Sequence, residues 1–174
     1  MKKSSEKIIE FTIVYNRYKK RLLNYVLSLT GNKMHSEDIL QNVFLKYFDN
    51  MDSLHDKSKS HIWLFKTARN EIYGYFRSKR SKADQFNTQN IDEIIEPVEG
   101  KDLYTEYELR EIKEIIMKEL SEMNIEQREP YLLKEYGGLT YREISFIIGI
   151  EEKTVKSRLY KVRQKLIKKI SKIV

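Results

Sequence analysis

The side chains best suited to chemistry lie near the C-terminus, in the run EKTVKSRLYKVRQKL at residues 152–166. Cationic and hydroxyl groups dominate the polar positions of this run: Lys153, Thr154, Lys156, Ser157, Arg158 and Lys161. Ammonium, guanidinium and hydroxyl groups donate hydrogen bonds to phosphate oxygens and to acceptors on base edges. The run is therefore typical of a helix that binds duplex DNA.

A helix-turn-helix motif is predicted to position these groups. Thr140 and Glu143 have the spacing of a capping box that starts a helix, and Gly149 suits the left-handed residue that ends one. Apolar residues then recur every three or four positions along the second helix: Val155, Leu159, Val162 and Leu166. Because basic amphipathic helices are often only solvated faces, the capped helix and the glycine carry the prediction of DNA binding.

A second cluster occupies residues 61–80, where aromatic rings alternate with cations. Its candidate DNA-binding side chains are Trp63, Lys66, Arg69, Asn70, Tyr73 and Arg77. Unpaired bases stack on aromatic faces while cations follow the phosphates, so this mixture suits single-stranded DNA. The alternative is that the rings fill a core. Phe65 and Phe76 are predicted to point inward, whereas both interpretations stay open for Trp63 and Tyr73.

Three amphipathic helices are predicted to carry this cluster. The first has an apolar stripe from Ile8 to Leu29 and ends at Gly31-Asn32. The second follows an N-cap at Ser36, and the third starts near Ser60 after a turn-rich segment at 52–60. The fold class predicted is all-α, with two small helical domains joined by a flexible acidic linker.

Charge is divided into three blocks along the chain. Residues 1–80 hold 16 Lys/Arg against 8 Asp/Glu, residues 81–114 hold 4 against 10, and residues 115–174 hold 13 against 8. Two basic modules flanking an acidic segment suit one polyanionic partner. We expect a domain at 1–80, a linker at 81–110 with a nascent helix at 91–95, and a domain at 111–174.

Composition excludes several classes of protein. The chain has 174 residues, a net charge of +7 and no cysteine, which rules out disulfides and thiolate metal sites. The three histidines, His35, His55 and His61, lack metal-ligand spacing, and no Gly-rich phosphate loop or nucleophile elbow is present. The sequence therefore predicts no enzyme, no cofactor, no metal and no membrane insertion, in a cytoplasmic protein. We also expect a monomer when free, because the stripe at 8–29 is needed for the first core and no other dimerisation helix is evident.

Longer stretches resemble a known family. HSEDILQNVFLKYF and WLFKTARNEIYGYFRSKR resemble region 2 of bacterial RNA polymerase sigma factors of the extracytoplasmic-function (group 4) class. MNIEQREPYLLKEYGGLTYREISFIIGIEEKTVKSRLYKVRQKL resembles their region 4. The two matches occur in the family's order, separated by a variable linker.

The resemblance implies a promoter-specificity subunit that initiates transcription. Docking on the β′ clamp helices of core RNA polymerase is implied for Glu37, Asp38, Ile39, Gln41 and Phe44. The 52–60 loop and the helix at 63–80 match the surface that captures a flipped base of the minus-ten element, and residues 152–164 match the minus-thirty-five reader. The polymerase β flap, promoter DNA and an anti-sigma factor are the further partners implied.

Three positions depart from the family pattern. Asn124 stands where proline often opens the first helix of region 4, and asparagine caps helices well. Pro130 lies inside that helix, so we expect a late start or a bend. Glu151 and Glu152 replace the usual Ser or Thr cap of the recognition helix. A stand-alone helix-turn-helix regulator is the alternative function, and it predicts a dimer on palindromic half-sites.

Overall fold

The computed structural model describes residues 2–81 and 103–172, with side chains at 4–79 and 110–172. All regular elements in these ranges are helical, which confirms the predicted all-α class. The chain divides into two compact units, Met1–Asn87 and Thr88–Val174. Most of the predicted linker, including the nascent helix at 91–95, lies outside the described residues. No described helix is long and apolar enough to cross a membrane.

Unit 1 is a three-helix bundle in which every helix packs on the other two. Its elements are α1 (Lys2–Thr30), α2 (Lys33–Asn50), two short 3₁₀ turns (Met51–Ser53 and Lys57–Lys59) and α3 (Ser60–Ser81). The fully buried core side chains include Leu22, Tyr25, Leu29, Tyr47, Met51, Leu64, Phe65 and Ile72. The predicted inward position of Phe65 is confirmed, whereas Phe76 is only half-buried, and Ala68 and Ile72 complete the buried face of α3.

The stripe predicted for α1 holds at its C-terminal end and fails at its start, where Ile8 is 53% exposed. Helix length explains this. At 1.5 Å per residue, α1 is about 43 Å long and α2 about 27 Å, so the first turns of α1 have less to pack against.

The junction of α1 and α2 is tighter than predicted. Gly31 takes a left-handed φ of 64°, and Asn32 caps α2 by accepting the His35 N–H at 3.0 Å. The predicted cap at Ser36 was wrong, because the helix has already completed a turn there. The Ser36 side chain is instead buried, where it donates to the Asn32 carbonyl at 2.7 Å.

Unit 2 contains α4 (Leu103–Glu122), α5 (Ile125–Glu135), α6 (Tyr141–Ile148) and α7 (Glu152–Ile170). α7 packs on each of the other three helices through a buried stripe of Val155, Leu159, Val162 and Leu166, as predicted. Asn124 caps α5 by accepting the Gln127 N–H at 2.9 Å, also as predicted. α5 contains Pro130 and begins at Ile125, so of the two alternatives expected from the proline, a late start or a bend, the late start is excluded.

Candidate nucleic-acid interface

The turn between α6 and α7 has the geometry of a helix-turn-helix. The Thr140 hydroxyl accepts the Glu143 N–H at 3.2 Å while a Glu143 carboxylate oxygen accepts the Thr140 N–H at 2.8 Å, which completes the capping box. Gly149 ends α6 with a φ of 78°. The Ser145 hydroxyl donates to the carbonyl of Ile150. Ser145 thus links the end of α6 to the turn that follows it.

The outward face of α7 carries three of the predicted DNA-binding residues. Lys153, Ser157 and Lys161 are exposed and lie opposite the buried stripe. The Lys153 and Lys161 ammonium groups can only donate hydrogen bonds, whereas the Ser157 hydroxyl between them can donate or accept. This combination can contact phosphates and base edges along one groove.

Lys156 lies at the side of that row. Its ammonium nitrogen is 3.1 Å from a carboxylate oxygen of Glu152 and 5.7 Å from the centre of the Tyr141 ring. Both members of the ion pair are about half exposed, so the pairing contributes little and a phosphate could displace the carboxylate. Thr154 is half-buried on the other side.

Three cations on the flanks of α7 bind other helices of unit 2. Arg158 donates from Nη1 to the Glu126 carbonyl oxygen at 3.0 Å. Arg163 lies 3.3 Å from a Glu135 carboxylate oxygen, and hydrogen bonds with Tyr141 and then Glu135 raise its pKa. The Lys169 ammonium is 2.6 Å from a Glu119 oxygen. These three cations are engaged within unit 2, so not all of the positive charge of α7 lies on its outward face.

The start of α7 lacks a side-chain cap, as the two glutamates suggested. Glu151 occupies the N-cap position in an extended conformation, and its side chain makes no capping hydrogen bond. Its backbone carbonyl accepts the N–H groups of Thr154 at 2.9 Å and Val155 at 3.1 Å.

In unit 1, α3 presents the second predicted set. Helical spacing places Trp63, Lys66, Asn70, Tyr73 and Arg77 on the face opposite the buried Phe65 and Ala68. Lys66, Asn70 and Arg77 are exposed, and the two rings are half-buried. Arg69 lies at the edge of this face with its guanidinium 4.4 Å from the centre of the Tyr73 ring, a cation–π geometry.

A hydrogen-bond chain holds the start of α3 against α2. The Tyr47 hydroxyl donates to Ser60 Oγ at 2.8 Å, and Ser60 Oγ donates to the Lys57 carbonyl at 2.6 Å. The Trp63 ring lies 5.7 Å from the Tyr47 ring, centre to centre. Trp63 therefore rests on a fixed support while part of its surface stays accessible.

The segment from Met51 to Lys59, here called the α2–α3 loop, is tied to the first turns of α1. Lys7 pairs with Asp52 at 2.7 Å, and Lys57 pairs with Glu10 at 2.6 Å. The hydrogen bond from Lys57 to Glu10 raises the pKa of Lys57. Sequence reasoning missed Lys7 and Glu10, because no local pattern signals a contact across more than forty residues.

The residues predicted to dock on polymerase divide into buried and exposed side chains. Ile39 and Phe44 are 6% and 3% exposed, and the Phe44 ring packs 4.7 Å from that of Tyr15, so both belong to the core. Glu37, Asp38 and Gln41 are exposed on one face of α2. Two exposed apolar side chains outside the predicted set lie at the ends of that row, Met34 at 64% and Leu45 at 57% exposure.

Nothing in the described residues resembles a metal site: they contain no group of three or more His, Cys, Asp or Glu able to hold an ion.

Comparison with known proteins explains the pairing of two helical units. Residues 14–82 match the family model of Sigma-70 region 2, and residues 113–166 match that of Sigma-70, region 4. The chain is 31% identical over 153 residues to the ECF RNA polymerase sigma factor SigM of Bacillus subtilis, covering 88% of this chain and 90% of SigM. It is 26% identical over 148 residues to the ECF RNA polymerase sigma-E factor of Escherichia coli, covering 79% and 74%.

Two solved structures share the fold. The sigma factor RpoE of Bartonella quintana, crystallised with the anti-sigma factor NepR, aligns with a TM-score of 0.68 at 24% identity over 97% of this chain and 96% of its own. CnrH, in complex with the cytosolic domain of CnrY, aligns with a TM-score of 0.59 at 18% identity over 90% and 84%.

Regions 2 and 4 together define a sigma-70 type transcription factor. The chain belongs to the family of ECF RNA polymerase sigma factors. It is a non-catalytic subunit that binds RNA polymerase and promoter elements to initiate transcription.

Proposed function

We propose that the outward face of α7 reads the minus-thirty-five element, with Lys153, Ser157 and Lys161 as its central contacts. The observation that carries this is their exposure opposite the buried stripe, while Arg158, Arg163 and Lys169 are engaged within unit 2. Lys156 and Thr154 contribute from the sides. Arg158 belonged to the predicted contact set, but its guanidinium donates to the Glu126 carbonyl oxygen.

The test uses core polymerase, the purified protein and promoter fragments identified by mapping transcripts after overexpression. Lys153→Ala and Lys161→Ala should each weaken promoter binding and lower the salt slope by about 1 if the lysine contacts a phosphate. Lys118→Ala is the matched control, since Lys118 is exposed on α4. Affinity that is unchanged in both α7 variants would remove this face from the interface.

The minus-ten element is engaged by unit 1, through the α2–α3 loop and the outward face of α3. Trp63 and Tyr73 stack on unpaired bases, while Lys66, Arg69, Asn70 and Arg77 contact the backbone beside them. Base extrusion costs a few kcal/mol, and stacking returns about 1–3 kcal/mol per base when its platform is already fixed. The support of Trp63 by Tyr47 and Ser60 favours such preorganisation.

Comparing closed-complex binding with strand opening distinguishes base stacking by Trp63 and Tyr73 from a purely structural role of these rings. Trp63→Ala and Tyr73→Ala should reduce strand opening, measured by permanganate reactivity of unpaired thymines, more than binding of the closed complex. Equal losses in both steps would mean that the rings serve only the fold.

Core polymerase docks on the exposed row of α2, formed by Met34, Glu37, Asp38, Gln41 and Leu45, with the β′ clamp helices as its partner. Acidic and amide groups between two apolar side chains suit a basic helical surface. Leu45→Glu should abolish co-purification with core polymerase. Ile13→Glu is the matched control, because Ile13 is 54% exposed on α1, against 57% for Leu45. Equal binding by both variants would rule out this row.

The remaining partners follow the family. Residues 1–80 form the module for polymerase and the minus-ten element, and residues 111–174 form the module for the minus-thirty-five element and the β flap. RpoE and CnrH were each solved with a bound partner, NepR and CnrY, which supports an anti-sigma factor for this chain. The protein acts in the cytoplasm, where core polymerase is found, and is a monomer when free. Sedimentation at micromolar concentration tests the last point.

A further inference from the structure

Pro130 leaves a backbone acceptor in α5 without its usual partner. In an α-helix the carbonyl of residue i accepts the N–H of residue i+4, and proline has no N–H to donate. Pro130 is buried inside α5, whose regular turns run from Ile125 to Glu135. The carbonyl that loses its i+4 donor is therefore that of Glu126.

Arg158 supplies a donor to this same carbonyl. Its Nη1 lies 3.0 Å from the Glu126 oxygen, across 32 residues of sequence. On α7, Arg158 directly precedes Leu159 and follows Val155 by one turn, and both of these apolar side chains are at most 1% exposed. The hydrogen bond thus lies beside the apolar seam between α5 and α7.

We propose that Arg158 is a positioning residue, which sets the register and rotation of α7 through the carbonyl that Pro130 leaves open. Apolar packing is non-directional and tolerates small rotations of one helix against another. A hydrogen bond to a fixed carbonyl constrains both distance and angle. The pair of Pro130 and Arg158 therefore aims the outward row of α7, although neither residue belongs to that row. The proposal rests on the reading of the minus-thirty-five element by α7.

A double-mutant cycle tests the coupling: wild type, Arg158→Met, Pro130→Ala and the double variant, each assembled with core polymerase. The DNA is a promoter fragment found by transcript mapping, with its minus-thirty-five element intact or scrambled. Arg158→Met should raise the half-saturating concentration of the intact fragment about tenfold, the size of a lost charge-assisted hydrogen bond. The scrambled fragment should change little.

In the Pro130→Ala background, Arg158→Met should raise the half-saturating concentration of the intact fragment about threefold or less. The reason is that the backbone N–H gained at position 130 then donates to the Glu126 carbonyl. Arg158→Lys keeps the charge but loses the reach and the planar fork, so it should resemble Arg158→Met. All measurements are made well below the unfolding temperature of each variant. The amide N–H gained in Pro130→Ala should exchange more slowly when Arg158 is also replaced. This measurement tests the same coupling between the two residues without DNA.

Three results would overturn the proposal. One is an equal cost of Arg158→Met in both backgrounds. Another is a salt slope that falls by about 1 in Arg158→Met, which would assign a phosphate contact to Arg158. The third is relaxed preference at one base pair, which would make Arg158 a base reader. Lys161→Ala distinguishes failure of the positioning role of Arg158 from failure of the proposed reading role of α7. If Lys161→Ala also leaves the affinity for the intact fragment unchanged, the reading role of α7 has failed rather than the positioning role alone.

Discussion

Replacing Gly149 with alanine isolates the energetic cost of the turn between α6 and α7. Gly149 has a φ of 78°, and a Cβ added there would meet no atom within 4 Å. The penalty is therefore one of backbone conformation, about 1–2 kcal/mol for a residue with a side chain in the left-handed region. Alanine also restricts the unfolded chain, which returns about 0.4–1 kcal/mol. The free energy of unfolding of unit 2 should fall by about 1 kcal/mol.

Gly74 provides a matched control with the opposite sign. It lies in the middle of α3, where an added Cβ would meet only Arg77 Nη2, at an ordinary contact distance of 3.8 Å, among the described atoms. Gly74→Ala should therefore stabilise unit 1 by about 0.5–1 kcal/mol, the usual difference between glycine and alanine inside a helix.

Hydrogen exchange read peptide by peptide distinguishes the two units in one experiment. Gly149→Ala should speed exchange of the core of unit 2 and leave unit 1 unchanged, and the single tryptophan, Trp63, gives an independent optical report on unit 1. Gly149→Asn should lie between glycine and alanine, because asparagine tolerates the left-handed region. Unchanged or slower exchange in unit 2 of Gly149→Ala would refute the left-handed turn.

Three further predictions concern polar groups. Burial raises the pKa of Tyr131 to about 12 from 10.0, so stability that is complete below pH 10 should be lost as pH rises towards 12, and Tyr131→Phe should remove this dependence in alkaline unfolding curves. Thr140→Ala should cost unit 2 about 1 kcal/mol in urea unfolding, since it removes the capping box. Glu10→Lys should slow promoter opening on the order of twofold, and adding Lys57→Glu should restore it; no restoration would exclude the ion pair.

Local signals made much of unit 2 predictable. The helix boundaries around the turn depend on Thr140, Glu143 and Gly149, which act on backbone groups within four residues of themselves. The stripe of α7 follows from helical period alone. The cap of α2 shows how far such reasoning reaches: Asn32 and Ser36 are both good caps, and Asn32 caps the helix because α1 ends only two residues earlier, at Thr30.

Contacts between distant residues were beyond prediction. The ties of Lys7 to Asp52 and of Arg158 to Glu126 span 45 and 32 residues, and only the packed helices bring their partners together. Ile39 and Phe44 illustrate a conflict between two signals. Their positions fit the apolar face of a helix, whereas family resemblance assigned them to polymerase docking, and both side chains are buried in the core of unit 1.

The cations of α7 fall into two groups, since some are exposed on its outward face and others contact neighbouring helices of unit 2. Had all its cations faced DNA, orientation would depend on apolar packing alone, and a small rotation would redirect every contact. Instead Arg158, Arg163 and Lys169 bind the start of α5, the end of α5 and α4, respectively. Substitution of Arg158 should therefore weaken promoter reading through geometry, without the change in salt slope that marks a lost phosphate contact. The ion pairs of Arg163 and Lys169, whose cations are about half exposed, should contribute less.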